Sequence, residues 1–370
     1  MAIIVFIIIL SILILVHEWG HFITAKKCGV KVEQFSLGFG PKLWSKLWDG
    51  TEFCLCLIPL GGYVKMAGDE RSRVTGSKEE FLAQPVLNKF LIVVMGPVVN
   101  FVFAYFCFWC VFMLGKVDLD ATAKRVPAIV GQVLANSPAQ KAGLQTNDKI
   151  ITINEKSINH WPDLQDYVSR SQSSQLHFVI QRQGKEESLD ITPQEDGQKD
   201  IFGREHKTRK IGVAPLKLQD SKDFVIVRYG PIASLKQAAL ELGDISVKTY
   251  VALYEMLIGL RSPKEAMGVV GMFVVIKFAL SISFSFLLNI VGVISASLAL
   301  FNLLPIIPLD GGHLFLFLIE KLRGKALSQR ADEWIAKAGV SLIVTLALFI
   351  FYVDFERIGL IDHFIKIFKG

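Results

Sequence analysis

His17-Glu18-Trp19-Gly20-His21 puts two imidazoles four residues apart with a carboxylate between them. On a helix, positions i and i+4 share a face, so both rings can hold one metal ion while Glu18 takes a proton from water beside it. The pentapeptide closes an apolar run, MAIIVFIIILSILILV, where ionisable groups are costly and mark a functional site. A hydrolytic zinc site needs a third protein ligand and an open position for water. One candidate lies far down the chain, in Asn302-Leu-Leu-Pro-Ile-Ile-Pro-Leu-Asp310-Gly-Gly-His313. Asp310 is acidic in apolar surroundings and is followed by a glycine pair that lets the backbone turn sharply. His313 competes for the role; an HExxH together with an LDGG favours Asp310.

These residues need elements to hold them. The chain has 370 residues, 52% hydrophobic and 20% charged, a balance that fits a membrane protein with a soluble part. Its net charge of +6 comes with no nucleic-acid motif, so nucleic acid is not an expected partner and the charge reads as topological. Of the five cysteines (Cys28, Cys54, Cys56, Cys107, Cys110), none belongs to an even framework or a paired zinc pattern. Cys107 and Cys110 sit beside Phe106, Phe108 and Trp109 and read as buried, inert thiols; disulfides are not expected to hold the fold.

Four stretches are apolar enough to span a bilayer: about 2–24, 90–114, 283–304 and 338–353, the last of them short. No Lys or Arg precedes the first and no small-x-small site ends it, so it is expected to be a retained helix and not a cleaved signal. A further run at 266–280 contains Lys277 and two glycines and reads as an interfacial or bundle-packed segment. Basic residues follow the first span (Lys26, Lys27, Lys31, Lys42, Lys46, Lys65) and separate the third from the fourth (Lys321, Arg323, Lys325, Arg330, Lys337). Both loops are therefore expected in the cytoplasm, with the long middle segment and both termini outside it.

Between the first two spans, FSLGFGPKLW (35–44) and FCLCLIPLGGYVKMAGD (53–69) alternate apolar residues with Gly and Pro, which predicts short strands and turns. So apolar a hairpin, about 35–65, is expected to dip into the membrane interface, where bare backbone is tolerated only against protein or a wet cavity. Residues 125–216 change character, with alternating runs such as KIITIN and LHFVIQR. Within SPAQKAGLQTNDKIITINEKSI (137–158), Ser137 is a candidate N-cap, Pro138 suits the first helical position and Gly143 closes the helix. Turns are expected at Asn147-Asp148 and Asn154-Glu155. This segment resembles a PDZ domain of the bacterial protease type, whose pattern has Gly-Asp where this chain has Asn147-Asp148. Residues 229–260 read as a helix of mixed polarity on the outer face.

Taken together, HEWGH in the first span, GFGPKLW (38–44), PLGGYVKM (59–66), GPVVN (96–100), the PDZ-like insert and NLLPIIPLDGGH (302–313) resemble the site-2 protease family, in its RseP/RasP-like branch of sigma-factor regulators. The motifs run in the same order across nearly the whole chain. The resemblance implies a multi-pass α-helical membrane protein: four transmembrane helices, a membrane-associated β-hairpin loop and an inserted extracytoplasmic α+β PDZ-like domain. The membrane metalloprotease domain would be split into 1–114 and 283–370 by the PDZ-like domain (125–216) and extracytoplasmic or interfacial helices (217–282). It implies a bacterial cytoplasmic membrane location and one Zn2+ held by His17, His21 and Asp310, with Glu18 as catalytic base. Asn302 would hold the substrate backbone, and the hairpin with Gly38, Phe39, Gly40, Gly61 and Gly62 would bind substrate as an added strand. Partners would be transmembrane protein substrates of the anti-sigma-factor or remnant-signal-peptide kind, peptide C-termini at the PDZ-like domain, and the lipid bilayer. Two departures stand out: room for one PDZ-like domain where the archetype has a tandem pair, and GVVG (268–271) where Gly-Pro-Ile is usual. The alternatives are a non-catalytic scaffold with a peptide-binding PDZ domain and structural zinc, favoured by a closed four-ligand site including His313, and a zinc transporter, disfavoured by the single metal constellation.

Overall fold

The computed structural model describes residues 1–70, 74–199, 205–216, 224–325 and 327–357. The expected boundary at 217 and the C-terminal stretch 358–370 lie outside the described residues. The chain divides into two compact units, one of 1–114, 229–253 and the chain from 264 onward, the other of 115–228 and 254–263.

The first unit begins with helix α1 (Ala2–Lys27), strands β1 (Val32–Trp48) and β2 (Thr51–Met66), and helix α2 (Val86–Leu114). In α2 the interior Pro97 lacks an N–H and so leaves the Val93 carbonyl without its helical partner. The strands turn at Asp49-Gly50, both at positive φ (47° and 72°), the Asp-Gly pair that a two-residue hairpin loop favours. The sequence predicts short strands here, whereas β1 and β2 are 17 and 16 residues long. Gly38, Gly40 and Gly61, at φ 90°, 88° and 134°, let each strand bend without ending it. As a result Gln34–Leu37 faces two sets of partners, Glu52–Leu55 and Gly62–Lys65. The last part of β2 is thereby left as an outer edge.

The second unit follows with β3 (Lys116–Asp118), α3 (Leu119–Ala123), β4 (Val130–Val133), α4 (Pro138–Lys141), β5 (Lys149–Ile153), β6 (Lys156–Ser157) and α5 (Trp161–Arg170). Then come β7 (Leu176–Arg182), β8 (Lys185–Ile191), β9 (Gln194–Lys199), β10 (Glu205–Lys210), β11 (Val213–Pro215) and β12 (Val225–Val227). Its main sheet has the order β6-β5-β7-β8, and β4 pairs with β11. Alternation in β7 places Phe178 and Ile180 on the inner face, and a register shift in β5 between Ile150 and Thr152 brings both Ile150 and Ile153 to that face, against Leu164 and Val168 of α5. Ser137 caps α4 by accepting from the Gln140 amide, Gly143 takes the left-handed conformation after it (φ 84°), and Asn154-Glu155 form a turn with both φ positive. Asp148, buried, accepts two hydrogen bonds from Arg182 at 2.9 and 2.7 Å.

The chain returns through α6 (Pro231–Leu257), α7 (Val269–Ile282), α8 (Phe284–Asn302), α9 (Asp310–Arg323) and α10 (Gln329–Arg357). The 266–280 run forms most of α7, which joins the bundle by burying Ile276 with Leu13 of α1, Cys107 of α2 and Val291 of α8. Among the described residues, α1, α2, α8 and α10 are long and apolar enough to cross a membrane. The fourth of these is longer than its expected 338–353. Arg330, Glu333 and Lys337 interrupt the hydropathy while remaining good helix formers, so the helix starts at Gln329. Small residues let the helices approach: the Cβ that Gly20 lacks would lie 3.0 Å from the Gly96 Cα, and that of Gly292 would lie 2.7 Å from the Phe108 ring. All five cysteines are free, with Cys54, Cys56 and Cys107 buried.

Candidate metal and catalytic site

His17 and His21 lie one turn apart on α1 and face Asp310, the first residue of α9. Asp310 reaches them because α8 ends at Asn302 and the chain folds back through 303–309, which includes a cis Ile307-Pro308 bond. The LDGG glycines are required by this fold-back. A Cβ at Gly311 would strike the Leu303 carbonyl, and one at Gly312 would lie 2.6 Å from Ile306 C. From α10, Gly339 presses on the Ile307 carbonyl in the same way.

Asp310 Oδ2 is 3.2 Å from His17 Nε2 and 3.5 Å from His21 Nε2, and the two Nε2 atoms are 3.2 Å apart. One ligand atom from each of the three residues falls within 4.8 Å of the others. His21 Nδ1 lies 2.9 Å from the Ile92 carbonyl, which can only accept, so Nδ1 carries the proton and the Nε2 lone pair points at the cluster. Asp310 Oδ2 is buried with no hydrogen-bond donor. Lone pairs brought this close repel unless a cation lies among them, so the donor set fits zinc, for which His and carboxylate ligands are usual. Among the described residues His313 is not part of the cluster, although it lines the same cavity.

That cavity, about 630 Å³, is lined by His17, Glu18 and His21, by Gly62, Tyr63, Val64 and Met66 of β2, and by Asn302 and Asp310. Glu18 and Val64 line the same wall of the cavity. Gly62 is needed beside Glu18, since a Cβ there would sit 3.2 Å from Glu18 Cγ and 2.9 Å from the Ser36 carbonyl. The other hairpin candidates lie elsewhere. Gly38 and Gly40 pack on Ile58, and Gly61 packs on the Phe39 ring. Phe39 is itself half exposed and stacks on Tyr63, with ring centroids 6.1 Å apart.

Beyond the end of β2, the loop reaching α2 supplies more of the wall through Phe81 and Leu82. Their amides bond to the Ala67 and Gly68 carbonyls at 2.8 and 3.2 Å. Glu80 fixes this loop by accepting from the Thr75 hydroxyl at 2.6 Å and from the Thr75 and Gly76 amides. These bonds, the hydroxyl's first, hold its carboxyl below the usual range.

Reasoning from residue types does not reach Ile92, Gly96 and Asn100, which α2 presents to the histidines. A Cβ at Gly96 would lie 2.9 Å from His17 Cε1 and closer still to His21. Asn100 is fully buried, with its side-chain amide 3.4 Å from His17 Nδ1. The available signal was a Gly-Pro and an amide inside an otherwise apolar span.

Two histidines and an aspartate converge on one point where they could hold a metal ion, with a glutamate beside them in the same cavity, the residue types a metallopeptidase uses as donors and base. The family model described as Peptidase family M50 matches residues 5–346. The chain therefore belongs to peptidase family M50, the site-2 proteases, and is a metalloprotease. A Campylobacter jejuni protein named for a zinc metalloprotease is 32% identical over 95% of this chain and 92% of its own. A Rickettsia conorii protein named in the same way is 34% identical over 94% of this chain and 96% of its own. The regulator of sigma E protease of Haemophilus influenzae is 26% identical over 95% of this chain and 98% of its own. Among solved structures, the PDZ domain of an SdrC-like protein from Listeria monocytogenes is 21% identical, covers 25% of this chain and 88% of that one, and has a TM-score of 0.20.

Proposed function

We propose that the chain is an intramembrane endopeptidase of a bacterial cytoplasmic membrane, cleaving single-span proteins of the anti-sigma-factor or remnant-signal-peptide kind. The observation that carries the reading is the convergence of His17, His21 and Asp310 next to Glu18, with two of the ligands and the base on an apolar helix long enough to span a membrane. His17, His21 and Asp310 would hold one zinc ion, which would supply a Lewis acid for the scissile carbonyl and acidify water. A Glu18 carboxylate oxygen takes a proton from the attacking water and later delivers one to the leaving amine.

Water and an extended peptide must both reach the site. The Gly61–Met66 edge of β2 has a strand partner on one side, at Val32–Leu37, and four of its residues line the cavity. A substrate helix that unwinds there can pair its backbone with this edge, replacing the hydrogen bonds that lipid cannot give. Asn302 lines the cavity beside Asp310 and offers an amide to the same backbone. The membrane protease domain is formed by 1–114 and 283–370, with α1, α2, α8 and α10 as spans and the basic loops on the cytoplasmic side. Residues 125–216, a PDZ-like domain, bind peptide C-termini outside the cytoplasm.

The test is Glu18→Gln in the full-length chain, with a membrane-embedded substrate in reconstituted vesicles. Cleavage is expected to stop while bound zinc remains; a fully active variant overturns the assignment of the base. His17→Ala is expected to lose the zinc as well.

A further inference from the structure

Asn100 lies on the face of α2 that meets the two histidines, eight residues after Ile92 and four after Gly96. It is fully buried, and its backbone carbonyl accepts from Ser295 Oγ of α8 at 2.9 Å, which fixes that turn of α2. Its side chain leaves an account open: Nδ2 lies 3.4 Å from His17 Nδ1, while Oδ1 is buried and has no partner.

Tautomer chemistry closes the account. His17 faces Asp310 and His21 through Nε2, so that atom must keep its lone pair for a cation, and Nδ1 must then carry the proton. An N–H donor cannot be satisfied by Nδ2, which is also a donor. If instead Nδ1 accepted from Nδ2, the proton would sit on Nε2 and close the ligand position. A half-turn about χ2 of Asn100 resolves both difficulties, bringing the orphaned Oδ1 onto the Nδ1 proton; the two ends of an amide are nearly the same shape, so the turn needs no extra room. His21 is already held this way, by the Ile92 carbonyl at 2.9 Å. Between the two acceptors stands Gly96, whose missing side chain lets α2 approach both rings.

We propose that Asn100 is a positioning residue for the metal site: through Oδ1 it holds His17 in the Nδ1–H tautomer and aims Nε2 at the ion, as the Ile92 carbonyl does for His21. Ile92, Gly96 and Asn100 thus form one supporting stripe, contributing a carbonyl, a gap and an amide. The inference rests on His17, His21 and Asp310 holding zinc.

The experiment measures zinc affinity by chelator competition on the full chain in detergent, for the parent, His17→Ala, Asn100→Leu and Asn100→Asp. Asn100→Leu keeps the shape and removes the acceptor, and is expected to bind zinc about 10–100-fold more weakly, as loss of a ligand's outer partner does. Asn100→Asp keeps an acceptor and is expected to stay close to the parent. Parental affinity in Asn100→Leu, or equal losses in Leu and Asp, overturns the inference. Equal affinity in the parent and His17→Ala overturns the zinc site itself. If Asn100→Leu does not fold, 15N-histidine spectra of the zinc-loaded parent decide: His17 protonated at Nδ1 and hydrogen-bonded there supports the proposal, and an unprotonated Nδ1 refutes it.

Discussion

Replacing Gly96 by alanine adds one methyl group to the face of α2 that meets His17 and His21. The new Cβ would lie 2.9 Å from His17 Cε1 and closer still to both Nε2 and Cε1 of His21. Carbon contacts settle near 3.5–4.0 Å, so at least one ring must retreat by about 1 Å. His21 has little freedom to do so, being 8% exposed and tied through Nδ1 to Ile92 O at 2.9 Å. Separating the helices is no easier, because Gly20 of α1 already meets the backbone of Met95 and Gly96. Metal sites tolerate distance errors of about 0.2 Å, so a shift of about 1 Å is several times too large. Zinc affinity is expected to fall by about 100-fold or more, and kcat/KM for a membrane substrate by at least about 100-fold. Chelator competition reads the first and cleavage in vesicles the second, with thermal unfolding as a check on the fold. Gly243→Ala, inside α6 with nothing within 4 Å of the new Cβ, is the control and is expected to gain about 0.5–1 kcal/mol. A folded Gly96→Ala protein that binds zinc within about threefold of the parent would refute the reasoning, since outer-contact losses run from about tenfold upward.

Two other sites give measurable consequences. Arg182→Leu leaves Asp148, 1% exposed, with the Gln145 amide but without its charged partner, and is expected to destabilise the second unit by about 3 kcal/mol, read by chemical denaturation followed at that unit. Glu80 has its folded pKa depressed by the Thr75 hydroxyl and the Thr75 and Gly76 amides, so its contribution is present above its unfolded value, about 4.3, and is lost as pH falls through the lower folded value. Hydrogen exchange at Thr75 and Gly76 is expected to accelerate in that acid window, and Glu80→Gln is expected to remove the step.

The ligand motifs were legible because their chemistry depends on residue type and local spacing. HExxH needs only a helix to bring His17 and His21 together, and Asp310 announces itself as an acid beside two glycines in an apolar stretch. The supports of the site were not legible in the same way. Ile92 acts through a carbonyl that every residue has, and Gly96 acts through what it lacks. Asn100 was visible as an amide in an apolar span, but its partner lies 83 residues away and appears only when α1 and α2 are packed. The hairpin shows a third limit. Gly38, Phe39 and Gly40 declare an unusual backbone, yet which strand faces the cavity depends on register, and Gln34–Leu37 is covered on both sides while Gly62–Met66 is not.

The glycines follow from one constraint. For the proposed ligands on α1 and α9 to converge inside a bundle, the neighbouring backbones have to come closer than side chains normally permit. Gly20 and Gly96 remove the obstruction between α1 and α2, Gly62 between β2 and Glu18, Gly311 and Gly312 between α9 and the loop that delivers it, and Gly339 between that loop and α10. Each has its cost in chain entropy. If close approach is their role, alanine at Gly312, whose Cβ would lie 2.6 Å from Ile306 C, should displace Asp310 and weaken zinc even though no ligand atom has changed. Alanine at Gly143 should leave zinc binding untouched and cost only the strain of its positive φ, 84°, in the second unit. Zinc titration of these two variants separates a requirement for space around the metal from a general intolerance of added methyl groups, and equal zinc losses in both would defeat the close-approach explanation.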